Sequence, residues 1–383
     1  MPHETRSASL LTSFADVPDP RTRACLYPWD ELMFTALCGV CSGADDWVGV
    51  VEWATMKLDW LRQYLAFDNG VASHDTFSRV FSLLDAQRFE ACFAGWTKAL
   101  CPNLAQQLIP IDGKSVRGSH NGQSRMAHLV SAWHTKQGLV LAQVKTAAKS
   151  NEITAIPELL DALDVQGAII TIDAMGCQRT VVEKIIARQA DYIIGVKDNQ
   201  PLLAQAIERL FDANDANPSA TPLEQHTSVD KGHGRVESRA CTVASDLQSL
   251  AEHGLPWAGL RSVVRVHSTR EVVNGKGKGE SSVEWRYYIS SLALSADAFN
   301  TAIRAHWGIE NSCHWVLDMT FREDDCRIRV GDGAQNFAIL RRIALNLIKQ
   351  ERSGKSSVSI KRQRAGWSTA YLEKLLGLIA HPD

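Results

Sequence analysis

The stretch around which the rest of the chain is organised reads Arg304-Ala-His-Trp-Gly-Ile-Glu-Asn-Ser-Cys-His-Trp-Val-Leu-Asp318. A helix that begins after Ser295 and turns by about 100° per residue places Glu310 near the middle of an apolar side. The residues on that side are Phe299, Ile303, Trp307, Cys313, His314 and Leu317. A carboxylate on a core-facing stripe is costly unless a cation, a metal or a shifted pKa compensates it. The pattern therefore predicts that other polar side chains meet Glu310 inside the fold.

Two upstream segments supply candidate partners for this glutamate. Leu108–Asp112 and Ala168–Asp173 are short apolar runs that each end in an aspartate. Such runs are typical of buried strands. Two strand carboxylates and one helix carboxylate from distant parts of the chain are what a site for two hard divalent cations needs. Asp112, Asp173 and Glu310 are thus the first candidate site residues.

The composition allows a large core but does not decide the partner. The chain has 383 residues, which favours two domains or one large domain with an insertion. Apolar residues make up 45% of it, and the formal net charge of −2 does not indicate a polyanionic partner. Between residues 341 and 364, however, eight basic residues accompany one acid, Glu351. This basic segment is typical either of a nucleic-acid contact or of a solvated helix and a disordered terminus, and both interpretations stay open.

The cysteines indicate a compartment rather than a site. Nine cysteines at irregular spacings and the lack of a signal peptide predict a reducing cytoplasm. The only CxxC spacing, Cys38 to Cys41, lies in an apolar helical run and has no second pair at zinc-ribbon distance. We expect these two thiols to pack in the core. No apolar stretch of the sequence is long enough to span a membrane.

The apolar periodicity predicts helices first and then a mixed sheet. Residues 9–100 follow the helical period, and the segment Ser73–Leu84, with Ser73 as N-cap, could be the exposed helix of a helix-turn-helix. From Gln106 the predicted order is β-β-β-α-β-α-β-α. The segments are Leu108–Asp112, Ala127–His134, Leu139–Lys145, helix Ile153–Leu163, Ala168–Asp173, helix Gln178–Gln189, Tyr192–Val196 and helix Gln200–Phe211. Three antiparallel strands extended by two parallel ones form a mixed sheet covered by helices, which is the ribonuclease-H-like plan.

A β-rich insertion interrupts this plan. Its predicted strands are Glu224–Val229, Gly234–Val243, Arg261–Thr269 and Val283–Ile289. Alternation puts Arg235, Glu237 and Arg239 on one face, which is typical of a contact to a DNA backbone or of a salt-bridged surface strand. The predicted domains are therefore a helical N-terminal domain with a candidate DNA-binding role (1–105), a catalytic domain (106–211 and 291–350), the insertion (212–290) and a basic C-terminal segment (351–383).

Six motifs together resemble one protein family. They are Ile111-Asp-Gly-Lys-Ser-Val-Arg-Gly118, Ile172-Asp-Ala-Met-Gly-Cys-Gln178, Gly195-Val-Lys-Asp-Asn-Gln-Pro201, Arg304-Ala-His-Trp-Gly-Ile-Glu-Asn311, Trp315-Val-Leu-Asp-Met-Thr-Phe-Arg-Glu-Asp324 and Asn336-Phe-Ala-Ile-Leu-Arg-Arg342. In this order they resemble the H-repeat-associated transposases, a branch of the DDE transposases in the insertion-sequence-four superfamily. The resemblance covers roughly residues 10–365. The N-terminal segments Asp19-Pro-Arg21 and Asp75-Thr-Phe-Ser-Arg79 resemble that family's associated N-terminal domain.

This resemblance implies a specific chemistry and specific partners. The family's catalytic acids fall on Asp112, Asp173 and Glu310, which would bind Mg²⁺, with Mn²⁺ able to substitute. The implied reaction is cleavage of the element ends and strand transfer into target DNA, in two-metal phosphoryl transfer. The implied partners are double-stranded DNA with terminal inverted repeats, a target DNA and a second copy of the chain, in the cytoplasm on the nucleoid.

The sequence departs from the superfamily at the positions that contact phosphates. The superfamily's Tyr, Arg and Lys around the catalytic glutamate are replaced by Ile303, His306 and Leu317. Phosphate contacts are then expected from Arg304, His306 or His314. Lys114, Lys197 and Asn199 are further candidates for contacts to DNA, with a solvated loop lysine and an Asn-Gln-Pro turn as the alternatives.

The remaining charged and aromatic residues near Glu310 have structural interpretations. Asp318, Glu323, Asp324 and Asp325 are expected to pair with Arg322, Arg327 and Arg329, although Glu323 or Asp324 could compete with Glu310 as the third ligand. Packing is the default for His306 and His314, and Trp307 and Trp315 are expected in the core.

Two other functions fit the same residues. A metal-dependent nuclease that cuts without joining needs the same three acids, so the sequence does not separate it from a transposase. A non-catalytic DNA-binding remnant would fit the helical N-terminus and the basic segment, but the intact acids argue against it.

Overall fold

The computed structural model describes residues 14, 17–23, 25–120, 126–147, 151–218, 223–232, 234–248, 250, 256–273 and 279–378. The chain forms two compact units. Unit 1 consists of Met1–Asn103, Gly113–Ser150 and Glu310–Asp383, and unit 2 consists of Leu104–Asp112 and Asn151–Ile309. The domain limits given above from the sequence stay a prediction.

Nine strands form one mixed sheet. They are β1 (Leu108–Val116), β2 (Ala127–His134), β3 (Leu139–Lys145), β4 (Ile169–Ile172), β5 (Asp191–Val196), β6 (Glu224–Gly232), β7 (Arg235–Ala244), β8 (Ser262–Val272) and β9 (Ser281–Ser290). Their order across the sheet is β3-β2-β1-β4-β5-β9-β8-β7-β6. β4 is parallel to both β1 and β5, whereas β2–β3 and β5–β9 are antiparallel. The mixed sheet and the order of its first five strands along the chain agree with the sequence analysis.

The helices of unit 2 begin where the sequence places capping residues. They are α6 (Glu152–Asp161), α7 (Arg179–Ala187), α8 (Pro201–Ala216) and α9 (Ala296–His306). Asn151 caps α6, since its Oδ1 accepts a hydrogen bond from the N–H of Ile153 at 3.2 Å. Ser295 caps α9 in the same way through the N–H of Ala298 at 3.2 Å. Proline occupies the first turn of α8, where its missing N–H costs nothing.

The predicted β-rich insertion is not a separate sheet. Within unit 2, β9 pairs directly with β5, from Ile193 opposite Ser290 to Val196 opposite Tyr287, so β6–β9 continue the sheet. Helix α9 covers one face of this region. Its Phe299 and Ile303 pack into a buried cluster with Ile193, Cys241, Val243, Val264 and Val266. Apolar burial of this size explains why the strands continue the sheet.

Unit 1 combines helices from both ends of the chain with the β2–β3 hairpin. Its helices are α1 (Trp29–Cys41), α2 (Trp47–Met56), α3 (Leu58–Leu61), α4 (His74–Leu83), α5 (Ala86–Leu100), α10 (Trp315–Phe321), α11 (Gly333–Gln350), α12 (Val358–Trp367) and α13 (Thr369–Leu376). Helix α11 is buried along nearly its whole length. Trp47 of α2 packs edge-to-face against Phe337 of α11, with ring centroids 4.7 Å apart. Cys38 and Cys41 are buried free thiols, as the sequence analysis expected.

Half of the basic segment is buried, which contradicts its interpretation as a uniformly solvated or DNA-contacting face. Arg341, Arg342, Lys361 and Arg362 all lie inside unit 1. Arg362 donates hydrogen bonds to the carbonyls of Val40, Ala44 and Thr320 and pairs with Asp45. The buried guanidinium groups are used to satisfy backbone oxygens and carboxylates. Of the other four basic residues, Arg352, Lys355 and Arg364 are exposed and Lys349 is partly buried.

Within the part of the chain that the structure describes, no helix has both the length and the apolarity that crossing a membrane requires.

Candidate active site

Asp112 and Asp173 follow adjacent parallel strands of unit 2. β1 and β4 pair from Leu108 opposite Ile169 to Ile111 opposite Ile172, so these two aspartates are the next residues on both strands. Each side chain is half-buried. Asp112 does not end its strand as predicted, because β1 continues to Val116. Adjacent parallel strands bring carboxylates at equivalent positions to the same edge, which is the arrangement that the sequence analysis anticipated.

The carboxylate of Asp173 is held by the turn that follows it. It accepts hydrogen bonds from the N–H groups of Met175 and Gly176 at 3.0 and 3.4 Å, and so caps the 3₁₀ turn Ala174–Gly176. Burial raises the pKa of Asp173, and the negative charges of Glu152 and Asp112 raise it further, whereas these two hydrogen bonds lower it. The clustering of like charges makes this part of unit 2 favourable for a cation.

Glu152 is a member of this acidic group that the sequence analysis missed. It lies in the first turn of α6, where an acid is common because it complements the helix dipole, so its position alone gave no functional signal. Only the fold of unit 2 brings its charge near Asp173.

His306, the last residue of α9, reaches the same strands of unit 2. Its Nδ1 lies 2.8 Å from the hydroxyl of Thr171, a buried residue of β4 two positions before Asp173. Burial lowers the pKa of His306, the Asp112 charge opposes this effect, and Arg286 reinforces it. The imidazole is therefore neutral near pH 7. It differs in this respect from the arginine that the superfamily has at this position, which always carries a positive charge.

Glu310 and His314 lie in unit 1 on a π-helical segment that interrupts the predicted continuous helix. Helix α9 ends at His306, Glu310–His314 is π-helical, and α10 begins at Trp315. The Nδ1 of His314 is 3.1 Å from Oε2 of Glu310, and the imidazole is buried whereas the Glu310 side chain is 56% exposed. The prediction that Glu310 and Trp307 are core-facing is wrong, since Trp307 is also 44% exposed. Helix α9 ends before Trp307, and the π segment that follows has more residues per turn than an α-helix, so one constant wheel does not hold across this stretch.

Within unit 1, Glu310 and His314 are candidate metal ligands. Each offers one ligand atom, and Nδ1 of His314 lies 3.1 Å from Oε2 of Glu310. Carboxylate oxygens suit Mg²⁺ and Mn²⁺, and an imidazole nitrogen is more typical of transition metals. The donor set therefore fits a divalent cation without specifying Mg²⁺. Exposed acids also occur without any metal, so the group is a candidate on its chemistry alone.

Comparisons with known proteins give the family of the chain. The model of the transposase DDE domain matches residues 77–347, and that of the DDE_Tnp_1-associated domain matches residues 11–97. The chain belongs to the transposase DDE domain family. It is 39% identical to "Putative transposase YncI" of Escherichia coli O157:H7, over 96% of this chain and 94% of that protein. It is 37% identical to "H repeat-associated putative transposase YhhI" of Escherichia coli K12, over 96% of this chain and 97% of that protein.

Among solved structures, the chain is similar to a piggyBac transposase determined by cryo-electron microscopy in a synaptic complex with hairpin DNA. The TM-score is 0.44 at 9% sequence identity, over 99% of this chain and 79% of that one.

In this member of the transposase DDE domain family, the candidate DNA contacts after β5 have different surroundings. Lys197 and Asn199 are both exposed. The Asn199 amide donates a hydrogen bond to the carbonyl of Ala174 at 2.6 Å, so it braces the turn that Asp173 caps. This contact matches the structural alternative for Asn199, whereas the Lys197 side chain is exposed.

The inserted strands of this DDE chain carry a mixed rather than a purely basic face. Arg239 pairs with Glu237 at 2.8 Å and with Asp230 at 3.5 Å, and Arg304 of α9 also pairs with Asp230. This is the salt-bridged alternative. Among the described residues, Arg239 and Arg304 form ion pairs, whereas Arg235 forms none. Sequence reasoning missed two arginines on neighbouring strands of the same face, Arg270 and Arg286, because the register of β8 and β9 was not known.

The acidic cluster after α10 pairs differently from the prediction. Of its members, Asp325 pairs with Arg322 at 3.0 Å as expected. Asp318, Glu323 and Asp324 instead surround Lys114. Lys114 is buried, in contrast to the exposed position that a contact to DNA requires.

Proposed function

We propose that this chain is a DNA transposase that cleaves the ends of its element and joins them to target DNA with the help of divalent cations. The observation that carries the proposal is the position of Asp112 and Asp173 on adjacent parallel strands, in a chain of the transposase DDE domain family. The strand order β3-β2-β1-β4-β5 supports a ribonuclease-H-like catalytic plan.

In this proposal Asp112, Asp173 and Glu310 hold Mg²⁺ or Mn²⁺, with His314 orienting Glu310 through their hydrogen bond. Divalent ions held there would supply Lewis-acid activation of a water or a 3′-hydroxyl and charge stabilisation of the leaving 3′-oxygen. Neutral His306 donates or accepts a hydrogen bond beside Asp112 without competing as a permanent cation. The backbone N–H groups of Met175 and Gly176 keep the Asp173 carboxylate in place.

The partners in this proposal are terminal inverted repeats, a target DNA and a second copy of the chain, in the cytoplasm on the nucleoid. In this proposal the exposed side chains of Lys197, Arg235 and Arg304 contact the phosphate backbone of the DNA. The acidic residues of the inserted strands weaken these contacts. Phosphate contacts release counterions, so binding to the element ends weakens steeply as salt increases.

The test uses purified full-length protein and a duplex that carries an element end with its flanking DNA. With Mg²⁺ or Mn²⁺ we expect nicking at the end, and with pre-cleaved ends we expect joining to a target plasmid. Asp173→Asn should lower both activities by at least about 100-fold, since a ligand is lost. Asparagine retains an oxygen that can accept the two hydrogen bonds of the turn, so the fold should persist.

The matched control is Asp198→Asn, the same change at an exposed acid that follows the neighbouring strand β5. It should nick and join at the wild-type rate. Undiminished activity of Asp173→Asn would refute the proposed site. Cutting without joining would identify a nuclease, and DNA binding without metal-dependent cutting would identify a non-catalytic remnant.

A further inference from the structure

Lys114 is a buried cation enclosed by three carboxylates of unit 1. It lies on the second half of β1, and its side chain is 7% exposed. Its Nζ is 2.6 Å from Asp318 Oδ1, 2.9 Å from Asp324 Oδ1 and 3.7 Å from Glu323 Oε2. Burial acts to lower the pKa of Lys114, but the three carboxylates outweigh it and the pKa is raised.

The contacts continue from Lys114 into the core of unit 1. Glu323 is fully buried, and its Oε1 accepts a hydrogen bond at 2.7 Å from Arg342 of α11, which is also fully buried. Burial would raise the pKa of Glu323, yet Arg342, Arg341 and Lys114 lower it to about 2. Asp318 lies on α10 and Asp324 on the 3₁₀ turn Glu323–Asp325. One lysine thus joins β1 to α10, to this turn and, through Glu323, to α11.

A second set of contacts fixes the same end of β1. Just after the strand, Arg117 contacts Asp324 through its backbone N–H and its guanidinium, both at 3.3 Å. Arg329 donates a hydrogen bond to the carbonyl of Gly118 at 2.9 Å. A side chain at Gly118 would lie 2.2 Å from the carbonyl oxygen of Cys326, so the backbones are in close contact there. The strand end and the turn after α10 therefore form one rigid junction.

This geometry leaves Lys114 poorly placed for DNA. An ammonium group has three donors, and the two shortest contacts already go to carboxylates. Three surrounding negative charges would also repel a phosphate.

We propose that Lys114 is a positioning residue for the metal ligands. It stands two residues after Asp112 on β1, and its partner Asp318 stands eight residues after Glu310 on the helical segment that carries both. The Lys114 junction fixes the backbone from which each candidate ligand projects. The inference rests on the proposed function, in which Asp112 and Glu310 hold divalent ions.

The test measures Mn²⁺ binding to the full chain without DNA, by isothermal titration calorimetry. Loss of a group that orients ligands typically weakens metal affinity by about 10–100-fold, and we expect at least about 10-fold for Lys114→Met. Hydrogen exchange of the metal-free protein should show faster exchange in residues 112–118 and 310–322. Asp318→Asn removes the negative charge at the shortest contact but leaves Asp324, so it gives a smaller, few-fold loss in a variant that folds more readily.

Two controls separate positioning from charge and from stability. Lys184→Met removes a lysine that pairs with Asp161 on unit 2 at 2.6 Å, and Mn²⁺ affinity should not change. Leu372→Ala makes a cavity in α13 of unit 1, where the side chain is fully buried, and should lower the Tm but not the affinity.

The outcomes distinguish the two proposals. If the wild-type chain binds no Mn²⁺ at a saturable site, the proposed metal function fails and the positioning role fails with it. If the wild type binds Mn²⁺ and the folded Lys114→Met and Asp318→Asn variants bind it equally well, the positioning role alone is overturned.

Discussion

The buried Glu323–Arg342 pair gives the sharpest stability prediction, for the substitution Glu323→Gln. Both side chains are 0% exposed, and Arg342 Nη1 is 2.7 Å from Glu323 Oε1. Glutamine has nearly the same shape but removes the negative charge. The charges of Arg342 and of nearby Arg341 and Lys114 then stay in the core with one counter-charge fewer. An uncompensated buried charge is strongly destabilising, by about 3–5 kcal/mol in comparable pairs.

The pKa of Glu323 gives an independent magnitude. It is lowered from 4.5 to about 2 in the folded protein. Each pKa unit corresponds to about 1.4 kcal/mol, so the folded environment favours the carboxylate by roughly 3 kcal/mol. The two routes agree to within their precision. For a unit of this size, 3 kcal/mol corresponds to a Tm decrease of roughly 6–12 °C.

The same shift predicts the pH dependence of the effect. Because the folded-state pKa of Glu323 is below its unfolded value, the carboxylate stabilises unit 1 fully above about pH 4.5. This contribution is lost as the pH falls towards about 2. Wild type and Glu323→Gln should therefore differ most at pH 7 and converge in acid.

The assay is thermal unfolding from pH 7 to pH 3, followed by circular dichroism and by hydrogen exchange of α11. Glu52→Gln, the same change at an exposed acid of α2, is the control and should shift stability by less than about 0.5 kcal/mol. A Tm for Glu323→Gln within about 2 °C of wild type at pH 7 would refute the reasoning. So would an unchanged difference between the two proteins across the pH series.

Two other predictions concern unit 1. Burial raises the pKa of Glu90 to about 7, although hydrogen bonds from Gln335 and Gln143 act to lower it. The ionised carboxylate therefore destabilises the protein as the pH rises from about 4.5 through 7. In chemical denaturation, Glu90→Gln should stabilise the protein by up to about 3 kcal/mol at pH 8 and by little at pH 4. An equal effect at both pH values would contradict this prediction. Gly118→Ala would place Cβ against the Cys326 carbonyl and should cost more than about 2 kcal/mol, whereas Gly95→Ala, with open space in helix α5, should stabilise by about 0.5–1 kcal/mol. Equal Tm values for these two alanine variants would show that the junction can relax.

The parallel pair of strands and its aspartates could be predicted from the sequence. Continuous apolar runs of strand length that end at turn residues are typical of fully buried strands. An aspartate after each run must then appear at the same edge, as Asp112 and Asp173 do. The antiparallel hairpin β2–β3 was predictable in the same way, because two apolar runs flank a short turn at Gly138.

The orientation of the Glu310 segment could not be predicted in this way. A helical wheel assumes one constant angle per residue, and it placed Trp307 and Glu310 in the core. Helix α9 ends at His306 and a π segment begins at Glu310, so the angle is not constant along the stretch, and both side chains are exposed. Nothing in the spacing of apolar residues reveals such a change, because it depends on how the segments before and after it pack.

The sequence by itself determined the elements, their order and the family, since these depend on local periodicity and on motifs along the chain. Only the tertiary structure decided which charges are compensated. Lys114 and Arg342 are ordinary basic residues in the sequence, yet one is enclosed by carboxylates and the other is buried against Glu323. The physical reason is that the cost or benefit of a charge depends on distance and on exclusion of water, and residues far apart in the chain set both.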